Sequence, residues 1–128
     1  MTYCLDTWSV VEWMRNREPA AGRLDHLLPS RPVMSWINVG EVYYVVNRER
    51  GPGAALGAIE TLQRQLALDL ATPARVLEAA AIKAAHRISY ADAFAVATAL
   101  AHDAVLVTGD PELLAANAAW PTEDLRPR

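Results

Sequence analysis

Four acidic residues carry the clearest chemical signal in this sequence of 128 residues. Asp6 follows the apolar run TYCL, Asp110 follows AVLVT after one glycine, Glu41 lies within a helical pattern, and Asp92 interrupts the apolar stretch SYADAFAVATAL. Carboxylates that lie close together repel one another, and a hard divalent cation such as Mg²⁺ or Mn²⁺ removes that penalty. Such an ion also holds a phosphate, lowers the pKa of a bound water and neutralises charge on the attacked phosphorus.

The same acids also have a purely structural interpretation. Ser89 and Asp92 have the S-x-x-D spacing of a helix N-cap, where an acid favours the positive end of the helix dipole. Asp6 and Asp110 both precede apparent helix starts, with Pro111 suited to the first helical position. Glu41 could be a solvated surface residue. The positions of the acids alone therefore leave two interpretations open. The acids either cap helices and lie on the surface, or they share a metal site.

The elements that must position these acids follow from the hydrophobic pattern. The predicted strands are residues 2–5, 32–36, 67–71 and 104–108. The predicted helices are residues 8–17, 18–28, 37–51, 53–66, 73–86 and 89–100, and DPEL begins a further helix. This alternation predicts an α/β sandwich with a parallel sheet, in a single domain covering residues 1–128. Sites in such folds form beyond the carboxyl ends of the strands, where the four acids can meet.

Composition limits the classes of protein that remain. The hydrophobic fraction of 52% and the charged fraction of 21% are typical of a globular protein. The net charge of −3 argues against nucleic-acid binding through a large basic surface alone. The single cysteine, Cys4, is predicted to be buried and suits a reducing cytoplasm. Neither a signal peptide nor a membrane-spanning segment is expected.

Other catalytic classes lack their motifs. The sequence contains no G-x-x-x-x-G-K-[ST] loop, no G-x-G-x-x-G after the first strand and no nucleophile elbow. A phospho-accepting receiver domain needs a lysine at a strand end, but the only lysine, Lys83, lies within a predicted helix. His26, His86 and His102 lie in or at the ends of predicted helices, so none is a credible general base and a bound metal would have to generate the nucleophile.

A protein-interaction module is a stronger alternative than the receiver domain. Trp8 and Trp13 in the first predicted helix and Tyr43 and Tyr44 in the third could form an aromatic surface. Trp13 and Tyr43 are expected to belong to the core, which leaves Trp8 and Tyr44 as candidates for partner contacts.

Three segments, CLDTWSVVEWM, SWINVGEVYYVVNRERG and SYADAFAVATALAHDAVLVTGDPEL, resemble in order and spacing the motifs of PIN-domain ribonucleases. The likeness is greatest to VapC-type toxins of type II toxin–antitoxin pairs, and it extends from Tyr3 to about Leu114. It implies a three-layer PIN-like sandwich whose mostly parallel sheet has four to five short strands flanked by helices. Members of the family usually end in a short edge strand, and the segment after Leu114 departs from that pattern. Whether the edge strand forms in this chain is left open by the sequence.

The resemblance assigns roles to individual residues. It implies that Asp6, Glu41, Asp92 and Asp110 form a catalytic quartet that holds one or two Mg²⁺ ions, with Mn²⁺ as a substitute. Asp6, Asp92 and Asp110 would bind the essential ion, and Glu41 would hold a second ion or the attacking water. The residues expected to orient a carboxylate, water or phosphate around them are Thr7, Thr108 and, more weakly, Asn38.

The resemblance also implies an activity and partners. The expected activity is metal-dependent endoribonucleolytic cleavage of RNA, leaving 5′-phosphate and 3′-hydroxyl ends. The expected partners are an RNA substrate, a cognate antitoxin and a second copy of the chain in a homodimer. We expect an antitoxin segment in the groove between the first and third helices, anchored on Trp8 and Tyr44. The alternative is a catalytically inactive PIN-fold module that binds RNA or protein.

Overall fold

The computed structural model describes residues 1–115 and 119–128 as strands and helices that alternate along the chain. The strands are β1 (Thr2–Leu5), β2 (Val33–Ser35), β3 (Ala67–Asp69), β4 (Ala104–Thr108) and β5 (Thr122–Asp124). The helices are α1 (Thr7–Met14), α2 (Ala20–Leu27), α3 (Trp36–Arg50), α4 (Pro52–Gln65), α5 (Pro73–Ala85), α6 (Tyr90–Ala101) and α7 (Pro111–Ala115). A 3₁₀ turn at Leu28–Ser30 follows α2.

The five strands form one parallel sheet in the order β3-β2-β1-β4-β5. β1 lies at the centre, with Leu5 opposite Met34 of β2 and Val107 of β4. β5 is the edge strand that the sequence left open, and its Asp124 lies opposite Thr108. Residues 116–118 of the preceding segment lie outside the described residues. Because β1 and β4 are parallel neighbours, their carboxyl ends lie side by side. Asp6 and Asp110 follow these two strand ends.

Helices cover both faces of the sheet, which confirms the predicted three-layer sandwich. Successive residues of each central strand point to opposite faces. Cys4 and Leu106 pack with α5 and α6 in one buried cluster. Leu5 and Val107 pack in a second cluster with residues from α1 to α4. Cys4 is fully buried, as predicted.

Several predicted helices and strands end earlier in the structure than the sequence predicts. The helix predicted over 8–17 stops at Met14, because Arg15 caps it and Asn16 takes a left-handed backbone with φ of 55°. The strand predicted over 32–36 ends at Ser35, whose hydroxyl caps α3 by accepting from the Ile37 amide at 3.1 Å. The strand predicted over 67–71 ends at Asp69, opposite the last residue of β2.

Two helix predictions also change. The helix predicted over 18–28 covers only Ala20–Leu27, because the chain tightens into the 3₁₀ turn at Leu28. The helix predicted over 73–86 ends at Ala85, since His86 has an extended backbone. Among the described residues, no helix has the length and apolar character that crossing a membrane requires.

Candidate active site

Asp6 lies at the carboxyl end of β1 and is the most buried of the four acids, at 1% exposed. It caps α1, because its Oδ1 accepts a hydrogen bond from the Ser9 amide at 2.8 Å. The Thr108 hydroxyl donates to its other oxygen, Oδ2. Burial raises the pKa of Asp6 to about 6, although the hydrogen bonds from Thr108 and Ser9 favour the charged form. The carboxyl is therefore held in one orientation and is costly to ionise without a compensating charge.

Asp92 lies in the first turn of α6. The Ser89 hydroxyl caps this helix by accepting from the Asp92 amide at 3.1 Å, so the predicted capping motif is present. Burial and the negative charges of Asp110, Asp6 and Glu41 together raise the pKa of Asp92 to about 8, with burial as the largest cause. Asp92 therefore lies close enough to the other three acids of the predicted quartet to be repelled by each of them.

Asp110 begins α7 beyond β4, and Thr108 links it to Asp6. The amide of Asp110 donates to the Thr108 hydroxyl oxygen at 2.9 Å, while the Thr108 hydroxyl donates to Asp6. The Asp110 Oδ1 accepts from the Glu112 amide at 2.8 Å, which caps the short helix. One buried threonine thus sets the spacing between the two acids that follow neighbouring strands.

Glu41 approaches from α3 and is held by three donors. Its Oε1 accepts from the Thr7 hydroxyl and from Asn38 Nδ2, the latter at 3.1 Å. The Tyr44 hydroxyl donates to Oε2 at 3.3 Å. Asn38 is fully buried and also donates to the Ala91 carbonyl at 3.1 Å, which ties α3 to the start of α6. The predicted supporting residues Thr7 and Asn38 therefore fix the orientation of this carboxylate.

A cavity of about 390 Å³ opens over these acids. Glu41, Asp92 and Asp110 line it directly, while the buried Asp6 lies outside the lining. The other lining residues come from α1, α3 and the starts of α6 and α7: Thr7, Trp8, Val11, Arg15, Val45, Ser89 and Glu112. The cavity is strongly acidic and is open to solvent on one side.

The donor set fits a hard divalent cation. Only carboxylate, hydroxyl and amide oxygens are available, which are the ligands that Mg²⁺ and Mn²⁺ prefer. Burial and neighbouring acids raise the pKa values of Asp6 and Asp92, so their charged forms are disfavoured, and a bound cation would favour those charged forms. Across residues 1–115 and 119–128, no three His, Cys, Asp or Glu side chains are already arranged as a complete metal site.

The candidate partner residues lie beside this cavity. Trp8 is half-buried and lines it, and its indole ring packs against Gly109, where an added Cβ would come within 2.2 Å of the ring. Tyr44 is 50% exposed next to Glu41. Trp13 packs partly buried against the core and donates to Asp25 at 2.8 Å, whereas Tyr43 is half-buried.

The three histidines lie elsewhere. His102 at the end of α6 pairs with Asp69 at 2.9 Å, and His86 packs edge-on against Trp120. His26 is exposed on α2. In the described part of the chain, none of them lines the acidic cavity.

Sequence reasoning missed the two other charged residues of the cavity lining, Arg15 and Glu112. Arg15 shares a face of the first helix with Trp8 and Val11 at spacings of three and four residues, so helical periodicity could have found it. Glu112 follows Asp110 in a short turn of helix, and its position carries no comparable signal.

The family comparison identifies this fold. The model of the PIN domain family matches residues 3–119, so the chain belongs to the PIN domain family. This confirms the resemblance drawn from the three sequence segments. No curated protein sequence gives a significant match.

Solved structures share the fold along almost the whole chain. VapBC-1 from nontypeable Haemophilus influenzae matches with a TM-score of 0.73 and 26% identity, over 97% of this chain and 98% of that chain. VapC20 from Mycobacterium tuberculosis, a sarcin–ricin loop cleaving toxin, matches with a TM-score of 0.74 and 21% identity, over 96% of this chain and 98% of that chain. A toxin–antitoxin complex from Klebsiella pneumoniae matches with a TM-score of 0.73 and 19% identity, over 91% of this chain and 93% of that chain. The chain thus has the PIN nuclease fold found in VapC toxins.

Proposed function

We propose that this protein is a metal-dependent endoribonuclease toxin that hydrolyses RNA phosphodiester bonds and is inhibited by a cognate antitoxin. The proposal takes residues 1–128 as a single PIN-like domain acting in the cytoplasm, with Mg²⁺ as the cofactor and Mn²⁺ as a substitute. The observation that carries it is the partly buried Asp92, whose pKa is raised to about 8 by burial and by the charges of Asp110, Asp6 and Glu41 around a cavity open to solvent. Strongly perturbed carboxyls in a cleft are typical of catalytic and metal sites.

In this proposal the four acids divide into two roles. Asp6, Asp92 and Asp110 would hold the Mg²⁺ ion, and Glu41 would hold a second ion or the attacking water. The bound cation supplies positive charge for the phosphate and lowers the pKa of a bound water. Thr108 and Thr7 keep their partner carboxylates oriented through hydrogen bonds.

The reaction is an in-line hydrolysis. Water adds to phosphorus, the 3′ oxygen leaves and takes up a proton, and the products carry 5′-phosphate and 3′-hydroxyl ends. The 2′-hydroxyl takes no part in this reaction, so preference for RNA comes from its shape and from contacts outside the reacting atoms.

The surface between α1, α3 and α4 supports an antitoxin-binding role. A groove of about 490 Å³ lies there, lined partly by apolar side chains including Trp13, Met14 and Val46. It shares Val11, Arg15 and Val45 with the acidic cavity, so the two depressions are adjacent. We propose that an antitoxin segment lies along this groove and reaches Trp8 and Tyr44. We also propose a homodimer, as the family resemblance implies.

Cleavage of total cellular RNA by purified protein tests the activity. We expect discrete fragments with 5′-phosphate ends in Mg²⁺, no cleavage in EDTA, and no cleavage by Asp6→Asn or Asp92→Asn. The matched control is Asp103→Asn, because Asp103 is exposed before β4, at the opposite edge of the sheet. Its left-handed backbone, with φ of 50°, accommodates asparagine as well as aspartate.

Two results would contradict the proposal. Cleavage at the wild-type rate by folded Asp6→Asn or Asp92→Asn would remove the acids from the mechanism. Intact RNA in both Mg²⁺ and Mn²⁺, with RNA still bound, would favour the inactive RNA-binding module.

A further inference from the structure

Arg15 is the only cationic side chain among the described residues that line the acidic cavity. The acids that share this lining are Glu41, Asp92, Asp110 and Glu112. An RNA backbone approaching such a cavity meets repulsion from the acids and attraction from a single guanidinium. Arg15 is therefore the natural first contact for a substrate phosphate in this part of the chain.

The position of Arg15 indicates which phosphate it can reach. Asp6 caps the start of α1 and Arg15 caps its end, so their backbones lie about 13 Å apart along the helix. An arginine side chain that extends over the cavity from this distance contacts the RNA backbone next to the reacting phosphate. It does not reach the reacting phosphate itself. Arg15 also lines the larger groove, so it lies at the junction of the two depressions.

The present partner of Arg15 is replaceable. Its guanidinium pairs with Glu49 of α3, and the two side chains are 31% and 44% exposed. Solvent-exposed ion pairs contribute little net stability, so exchange of this partner costs little. A phosphate offers two oxygens in the geometry that matches the arginine fork, together with charge-assisted hydrogen bonds.

We propose that Arg15 binds the RNA phosphate adjacent to the scissile one, and that it leaves Glu49 to do so. The inference rests on the proposed nuclease function, for which it names a substrate-binding residue. Glu49 then acts as a competitor that holds the arginine when RNA is absent.

The matched control for Arg15 is Arg17 on the same segment of chain. Arg17 pairs with Glu12 at 3.4 Å and is absent from the linings of both depressions. Both arginines thus have one glutamate partner, but only Arg15 faces the acids. A general effect of surface charge would act on the two equally.

Binding of a fluorescein-labelled, mixed-sequence single-stranded RNA of about 20 nucleotides tests the inference. We would measure the Kd by fluorescence anisotropy in Mg²⁺ at several salt concentrations, in an Asp92→Asn parent that leaves the RNA uncut. Adding Arg15→Ala is expected to raise the Kd about tenfold, the loss typical of one charge-assisted hydrogen-bonded contact. It should also reduce the log–log salt slope by about 0.7, the value for one phosphate on a single strand.

The controls separate this role from structure and from general charge. Arg17→Ala should leave the Kd nearly unchanged, and Arg15→Lys should restore the salt slope with only part of the affinity. Glu49→Gln should bind RNA more tightly than the parent by a larger factor than Glu12→Gln. Thermal unfolding of each variant verifies that the fold is intact.

The outcomes are distinct. Equal binding by the Arg15→Ala variant and its parent, or equal losses for the two arginines, overturns this inference and leaves the proposed nuclease intact. Failure of the parent to bind RNA at all overturns the inference together with an RNA-directed function.

Discussion

The hydroxyl of Thr108 donates a hydrogen bond to Oδ2 of Asp6 and joins the carboxyl ends of the neighbouring strands β4 and β1. Both residues are buried, and the same hydroxyl oxygen accepts from the Asp110 amide at 2.9 Å. One side chain therefore positions two members of the acid cluster, although it carries no charge. This contact makes Thr108 as informative a target as the acids themselves.

Thr108→Val is expected to slow RNA cleavage by about 10- to 100-fold, the usual cost of removing a residue that orients a metal ligand. The change keeps the side-chain shape but leaves the Asp6 carboxyl and the Asp110 amide without their partner, which destabilises the fold by about 1–3 kcal/mol. Cleavage rates and thermal unfolding measure the two effects. The control is Thr98→Val, because the buried Thr98 hydroxyl has no hydrogen-bond partner among residues 1–115 and 119–128. Similar losses in both variants would show that the Thr108 hydroxyl has no special role.

Gly109→Ala is expected to impair both stability and cleavage, since the added methyl group would overlap the Trp8 indole, whose nearest atom lies 2.2 Å away. Relieving this overlap must move the ring or the turn that carries Asp110, at a cost of about 1–3 kcal/mol. Chemical denaturation and cleavage rates provide the test. Gly57→Ala is the matched change: no atom of the residues that the structure describes lies within 4 Å of an added Cβ there, and the helix should gain about 0.5–1 kcal/mol. A neutral Gly109→Ala would contradict the close packing with Trp8.

The stability of the metal-free protein is expected to fall as pH rises from about 4 to 8. The pKa of Asp6 is raised to about 6 and that of Asp92 to about 8, both from an ordinary value of 3.8. A carboxyl whose pKa rises on folding binds more protons in the folded than in the unfolded state, so its ionisation at higher pH destabilises the fold. Unfolding in EDTA across this pH range measures the effect.

Asp92→Asn should remove much of this pH dependence. Its unfolding temperature in EDTA should approach that of the wild type at or below about pH 4, where the Asp92 carboxyl is largely protonated in both the folded and the unfolded state, and exceed it by at least about 3 °C at pH 8. Asp103→Asn, an exposed change, should follow the wild type throughout. A wild-type protein that is more stable at pH 8 than at pH 5 without metal would contradict the repulsion between the acids.

Tyr44→Ala is expected to weaken antitoxin binding by about tenfold, because truncating an exposed aromatic anchor at an interface typically costs more than 1 kcal/mol. Tyr44 is suited to this test because it is 50% exposed, whereas Trp8 packs against Gly109 and its removal would disturb the fold. Calorimetry with purified antitoxin measures the affinity. Leu77→Ala, at an exposed site on α5, is the control. Undiminished affinity in Tyr44→Ala, and in the double variant with Trp8→Ala, would place the antitoxin elsewhere.

Much of the fold could be predicted from local pattern. The four predicted strands all form, because their apolar residues pack on the sheet, and Asp6 and Asp110 fall beyond the ends of β1 and β4. β5 escaped prediction because its three residues, Thr122–Asp124, carry no hydrophobic period. Its pairing depends on the exposed edge of β4, which is a property of the folded sheet.

The acids could be predicted individually, but the contacts between them could not. Capping and clustering are compatible, because Asp6 and Asp110 cap helices and Asp92 lies in the first turn of one, all at the same edge of the sheet. The bond from Thr108 to Asp6 joins residues 102 positions apart in sequence, and the packing of Trp8 on Gly109 is equally remote. Such contacts depend on strand order, which hydrophobic periodicity does not specify.

The most direct test of the central claim is a calorimetric titration of the metal-free protein with Mn²⁺. We expect wild type and Asp103→Asn to bind the ion alike, and Asp92→Asn to lose at least about tenfold in affinity, because a neutral amide cannot replace the charge of a ligand carboxylate. Retention of full Mn²⁺ affinity by Asp92→Asn, or no binding by the wild type at millimolar Mn²⁺, would contradict a divalent-cation site at these four acids.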